Sequence, residues 1–173
     1  SVIGFLGAGG QLILFEALRS GPAYIVFPFI SLFPVVTIIL SILFLKERAG
    51  LRQWSGIILA LVAIFFLSWQ KPDGTNVSGY AWLFMSVLVF LAWGIQAWLL
   101  TYANDTMKAE SIFMYMALTA VILIPVAIRM TDFSQKINWG FKGPYLAAMI
   151  HVLNSIGALT IVYALRNGKA MIV

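Results

Sequence analysis

Cysteine is absent from all 173 residues, and histidine occurs once, at position 151. The first absence excludes a disulfide framework, a thiolate metal site and a cysteine nucleophile. A lone histidine adds no metal-ligating set, so neither a metal nor a cofactor is expected. Charge is scarce as well: 10% of residues are charged and 62% are hydrophobic. A soluble domain carries about 25% charged residues and cannot cover its surface with fewer than half of that. The composition is that of a membrane protein. G-x-S-x-G, H-E-x-x-H and paired intramembrane carboxylates are also missing, which argues against an enzyme. The chain opens without Met and without a basic n-region, so its start reads as an interior position rather than a signal peptide.

What is present is a series of long uncharged runs. No charged residue lies between Arg19 and Lys46, Arg52 and Lys71, Asp73 and Asp105, Glu110 and Arg129, or Lys142 and Arg166. Each run reaches the ~18 residues that mark a spanning helix. Ser1–Phe15 is a further uncharged stretch. Six helices are therefore expected, roughly 1–18, 21–45, 53–70, 79–103, 111–128 and 144–165, with the stub of a seventh at 170–173. Runs such as "IILALVAIFFL" (Ile57–Leu67) do not alternate, as the strands of a membrane β-barrel must. The fold class is all-α transmembrane. The net charge of +5 sits mostly in loops, where Lys and Arg anchor helix ends, and does not point to nucleic acid.

Between the runs lie breaker-rich loops. "KERAGLR" (Lys46–Arg52) closes the second helix, and "NDTMKAE" (Asn104–Glu110) separates the fourth from the fifth. "QKPDGTNVSG" (Gln70–Gly79) is the strongest turn cluster and the expected joint between two units, 1–70 and 79–173, with 71–78 as linker. It contains Asn76-Val77-Ser78, a sequon of low specificity. In "RMTDFSQKINWGFKGP" (Arg129–Pro144), Trp139 and Phe141 suit interfacial anchors.

The chain also repeats itself. "ALRSGPAYIV" (Ala17–Val26) returns as "ALRNGKAMIV" (Ala164–Val173), and at that offset of 147 residues Ser1–Val26 and Ala148–Val173 share 11 of 26 residues. Aliphatic matches come cheaply in oily helices, but Ala-Leu-Arg-x-Gly-x-Ala does not. Five crossings separate the two copies. Five is odd, so the loops at Arg19 and Arg166 are expected on opposite sides of the membrane, in the inverted-repeat manner of secondary transporters.

Over "ALRSGPAYIVFPFISLFPVVTIILSILFLKERAGLRQWSGIILALVAIFFLSW" (Ala17–Trp69) the chain resembles the EamA-type repeat of the drug/metabolite transporter superfamily. A turn of small residues leads into a Pro-containing helix closed by Glu47, and Gln53, Trp54 and Gly56 open the next. "GYAWLFMSVLVFLAWGIQAWLL" (Gly79–Leu100) resembles the start of a second repeat, with Trp93 at the family's mid-helix Trp. The resemblance implies two inverted five-helix repeats in a protein of about 290 residues. This chain would hold the last three helices of the first repeat, then three of the second and the stub. It implies a secondary active transporter, with export the expected direction, moving small organic metabolites or drugs by alternating access in the inner (plasma) membrane. The implied partners are membrane lipids and a small-molecule substrate, with proton coupling and a homodimer left open. The alternative is a membrane interaction or assembly protein without transport. The family orientation puts six Lys and Arg inside and five outside, so positive charge does not decide the orientation.

Polar groups inside a bilayer are costly unless paired, so each needs a reason. His151, Asn154, Ser155 and Ala158 share one face of the sixth helix by i, i+3, i+4, i+7 spacing. They read either as a substrate path with a proton-sensitive His151 or as hydrogen-bonding glue between helices. Their partners in the repeat are Gly4, Gly7, Ala8 and Gln11. Trp93 and Gln96, one turn apart on the fourth helix, are further path candidates, whereas Trp82 and Trp98 nearer its ends suit an aromatic belt. In the second helix Pro28 and Pro34 are expected to kink the chain for shape or gating, with Tyr24, Ser31 and Thr37 beside the opening. Glu16 reads as an interfacial ion pair with Arg19, and Glu47 as a structural cap.

Overall fold

The structure, a computed structural model, describes residues 1–48, 50–68, 79–134, 139–170 and 172–173. The expected joint at 71–78 and its sequon lie outside the described residues. Helices α1 (Val2–Ser20), α2 (Ala23–Phe44), α3 (Leu51–Ser68), α4 (Ala81–Asn104), α5 (Ala109–Ile122), α6 (Ile124–Met130) and α7 (Leu146–Asn167) follow the uncharged runs closely. An apolar run in lipid has to satisfy its backbone internally, and a helix does so within one segment. Among the described residues four helices are long and apolar enough to cross a membrane, and a fifth span results if α5 and α6 are counted together. Leu59, Phe66, Phe84 and Ile122 are among many large apolar side chains that face outward, as surfaces toward acyl chains do.

Three local departures from straight helix matter. The expected single helix at 111–128 is broken at Leu123, where α5 and α6 meet at 43°. Pro125 lies in the first turn of α6 and cannot donate to the carbonyl four residues back, so the break falls there. In α2 the break comes at Leu32–Phe33, ahead of Pro34; the Ile30 carbonyl that Pro34 cannot reach takes the Phe33 N–H instead, at 2.9 Å. Pro28 stays inside the helical segment Ala23–Ser31. Wide π turns occupy Phe5–Gly9 in α1 and Phe141–Tyr145 ahead of α7.

Helix α4 is the spine. It packs along α1, along both halves of α2, and against the C-terminal part of α7. Two apolar cores form at its two ends. Near its start, Trp82 and Val89 meet Leu14 and Ala17 of α1 and Val26 and Ile30 of α2. Near its end, Leu100 meets Ala109 and Ile112 of α5 with Val162 and Leu165 of α7. Close approach is secured by glycine. A Cβ on Gly21 would stand 2.6 Å from the Trp82 side chain, and one on Gly94 would stand 2.4 Å from Val36. Trp82 is thus a core residue and not a belt residue; its indole N–H donates to the Gly79 carbonyl at 3.1 Å. Trp98 is half-buried beside Phe44.

The two sequence-matched loops have the same backbone. Gly21 (φ −124°, ψ 162°) and Gly168 (φ −123°, ψ 165°) each end a helix, and each donates its N–H at 2.8 Å to the Ala carbonyl four residues earlier. Next, the Pro22 carbonyl accepts from Ile25 and Val26, as the Lys169 carbonyl accepts from Ile172 and Val173. Of the expected helix stub at 170–173, the described residues 170 and 172 lie in a turn and not in a helix. The two loops sit at opposite ends of α4: Trp82 packs on Gly21, and Asn104, 22 residues on, holds Val162. At 1.5 Å rise that interval spans about 33 Å, the thickness of a hydrocarbon core.

Candidate functional site: a cleft between α1, α4, α5 and α7

Between the two cores the helices part. Val162 and Leu165 of α7 are buried against α4 and α5, whereas His151–Gly157, toward its N-terminus, are all exposed. The divergence leaves a cleft of about 670 Å³, within the ~300–1,000 Å³ range of small-molecule sites.

One wall is the N-terminal half of α1, with Gly4, Gly7, Ala8 and Gln11. The facing wall is α7, with His151, Asn154, Ser155 and Ala158. These are the eight positions paired by the sequence repeat, and they meet across one cleft. The floor is α4, with Trp93 and Gln96. Glycine brings that floor close, since a Cβ on Gly7 would stand 2.5 Å from Gln96 Nε2 and one on Gly10 would stand 2.6 Å from Trp93 Nε1. Trp93 donates its indole N–H to the Gly7 carbonyl, inside the π turn, at 3.4 Å.

Helix α5 supplies a wall that the sequence reading missed. Phe113, Met116, Ala117 and Ala120 line the cleft. Their i, i+3, i+4, i+7 spacing marks one helix face. That spacing was visible in the sequence, but apolar residues carry no mark of facing a cleft rather than lipid.

Not every candidate comes together. Tyr24 and Ser31 are half-buried on the first half of α2 and do not line this cleft. Thr37 is buried and donates to the Gly94 carbonyl at 3.0 Å, fastening α2 to α4. Pro34 and Thr37 border a different cavity of about 340 Å³, between α2, α3 and the 170–173 turn.

The cleft is chemically neutral. Among the described residues its polar side chains are Gln11, Gln96, His151, Asn154, Ser155 and the Trp93 indole, and no charged side chain lines it. Ser155 donates back to the His151 carbonyl. Charges sit at the two ends instead. At the α1 end, Arg19 pairs with Glu16 at 3.2 Å and reaches the Met130 carbonyl of α6 at 3.5 Å. Both partners are largely exposed, so the pair contributes little stability. At the other end Glu47 accepts the Ala170 N–H at 3.1 Å and Lys169 donates to the Arg48 carbonyl at 2.9 Å. Tyr163 of α7 donates to Glu110 of α5 at that end too. Among the described residues no group of three or more His, Cys, Asp or Glu could hold a metal.

A bundle of apolar helices enclosing a neutral polar cleft, with charge confined to its ends, defines a polytopic integral membrane protein. Residues 1–69 match the model of the EamA-like transporter family. The chain is also 49% identical over 59 residues to an uncharacterized protein of Methanocaldococcus jannaschii, a match that covers 34% of this chain and 43% of that protein. The match thus spans less than half the length of this curated relative. No solved structure matches the chain.

Proposed function

We propose that the chain is the transport unit of a secondary active transporter moving small organic metabolites by alternating access, with export as its direction. The cleft between α1 and α7 is the substrate path. The observation that carries this reading is the convergence of the eight repeat-related positions on one cleft. Two units of opposite orientation, 1–70 and 79–173, place a substrate between them near the midplane. The matched loops at opposite ends of α4 support that arrangement.

The conformation described is closed at one end and open at the other. Asn104–Val162, Glu110–Tyr163, Glu47–Ala170 and Arg48–Lys169 fasten α7 and the turn after it to α4, α5 and the α2–α3 loop. At the opposite end α7 stands away. Access from the second side requires these fastenings to open while the far end of α7 closes on α1. His151 lines the cleft, and it is the candidate for coupling to a proton gradient.

Uptake of a radiolabelled metabolite panel into proteoliposomes of the protein tests the reading. Gln96→Ala and His151→Ala should each reduce uptake of whichever members the wild type carries. Unchanged uptake in both variants removes the cleft as the path. Because there is no native cysteine, Glu47→Cys with Ala170→Cys, bridged by a bifunctional thiol reagent, should block transport until reduced. Full transport in the bridged protein rules out alternating access by opening of this end.

A further inference from the structure

We infer that the cleft selects uncharged, planar solutes carrying amide-type or heteroaromatic hydrogen-bonding edges, and rejects the carboxylate and cationic analogues of the same rings. This rests on the reading of the cleft as a substrate path.

Three observations carry it. The first is that, among the described residues, no charged side chain lines the cleft, although Glu16, Arg19, Glu47, Glu110 and Lys169 all lie at the bundle ends. An ion entering a low-dielectric cleft without a counter-charge loses hydration that nothing replaces. The second is the state of the polar side chains. Gln11, Gln96 and Asn154 line the cleft, and none of their side-chain amides has a hydrogen-bond partner among the described residues. The His151 imidazole is likewise unpartnered. Each amide offers donors and an acceptor, and a neutral imidazole offers one of each. Together they match a solute edge on which N–H and C=O groups alternate. A site built on such groups discriminates sharply against a solute that leaves them unpaired. The third is the pair of half-buried rings, Trp93 and Phe113, from different walls of the same cleft. They provide faces on which a flat ring can lie.

Gln96 is the residue most directly tied to selectivity. Gly7 leaves only enough room for its amide against α1, so the side chain is held at the floor of the cleft. Gln96→Glu keeps the shape and adds one negative charge.

The test uses isosteric probes. Tritiated nicotinamide is compared with nicotinate and with the permanently charged 1-methylnicotinamide, and uracil with orotate. Binding is measured on the purified protein by scintillation proximity, and uptake is measured separately in proteoliposomes. The wild type should bind nicotinamide or uracil at least tenfold more tightly than either charged partner. Gln96→Glu should raise affinity for 1-methylnicotinamide at least tenfold while leaving nicotinate excluded. Equal or tighter binding of the charged members overturns the selectivity, as does failure of both uncharged probes to bind. A Gln96→Glu protein that is folded by its thermal melt but unchanged in preference overturns the role of Gln96. Selective binding without uptake leaves the selectivity standing and counts against transport.

Discussion

Glu47 and Ala170 are 123 residues apart in sequence, yet the Glu47 carboxylate accepts the Ala170 backbone N–H at 3.1 Å. The N–H belongs to the turn that opens after Gly168, where the first amides have no carbonyl behind them. Glu47 therefore caps the second copy of the repeated loop. Lys46 helps to aim it, since its backbone is left-handed (φ 52°) and turns the chain sharply after α2.

Glu47→Ala should leave this amide unsatisfied. Loss of a capping side chain costs about 0.5–2 kcal/mol. Hydrogen exchange at Ala170 should accelerate about 2- to 30-fold, with little change at Ile25 and Val26 in the first copy of the loop. Equal acceleration in both copies would mean that the residue acts on the whole bundle.

The glycines of α1 divide by what faces them. A methyl group at Gly10 would stand 2.6 Å from Trp93 Nε1, whereas nothing lies within 4 Å of a Cβ at Gly9. Gly10→Ala should lower stability by about 1–3 kcal/mol, the usual cost of overpacking. Gly9→Ala should be neutral or raise stability by up to about 1 kcal/mol through the better helix propensity of alanine. Thermal melts in one detergent decide this, and reversal of the order would refute the packing of α1 on α4.

Asn104 gives a sign test. Its amide donates to the Val162 carbonyl at 2.9 Å, while its own Oδ1 is buried without a partner. Asn104→Leu removes one hydrogen bond and one unsatisfied acceptor together, so its net cost should stay below about 1 kcal/mol. Asn104→Asp places a carboxylate against a carbonyl in a buried site and should cost about 3 kcal/mol or more. Chemical denaturation of the two variants should separate them clearly.

Pro125 sets the 43° bend between α5 and α6. Pro125→Ala restores an N–H that can bond the Val121 carbonyl, so the two segments should straighten. Spin labels at Met114→Cys and Ile128→Cys, both exposed sites, should move apart by a few ångströms in pulsed dipolar spectra. An unchanged distance would assign the bend to the contacts of α6 instead.

The helices were legible because charge marks their ends. Expected limits such as 79–103 and 144–165 differ by a few residues at most from Ala81–Asn104 and Leu146–Asn167. The polar face of α7 was legible too, since His151, Asn154 and Ser155 recur at helical spacing within an otherwise apolar run. What escaped notice lay in contacts between helices. Pro125 sits inside the uncharged run that ends at Arg129, so a break there looks like continuous span. Trp82 has a belt residue's position and a core residue's surroundings, and only the missing side chain at Gly21 decides between them. Tyr24 and Ser31 share a helix with two prolines, but the direction in which that helix opens depends on how α3 and α4 flank it.

The π turn at Phe5–Gly9 acts on α1 as a phase shift. One residue more than the α-helical count is held in a single turn, so the helix on either side keeps its own facing. Gly4 looks at Thr119 of α5, while Gly7 and Gly10 look at Gln96 and Trp93 of α4. Deleting one residue from this turn would barely shorten α1. It would rotate everything N-terminal to the turn by about 100°, carry Gly4 off Thr119, and bring a side chain where α5 has left room only for a hydrogen atom. Substitutions there are local events, whereas a one-residue deletion would turn Gly4, at one end of that wall, away from the cleft.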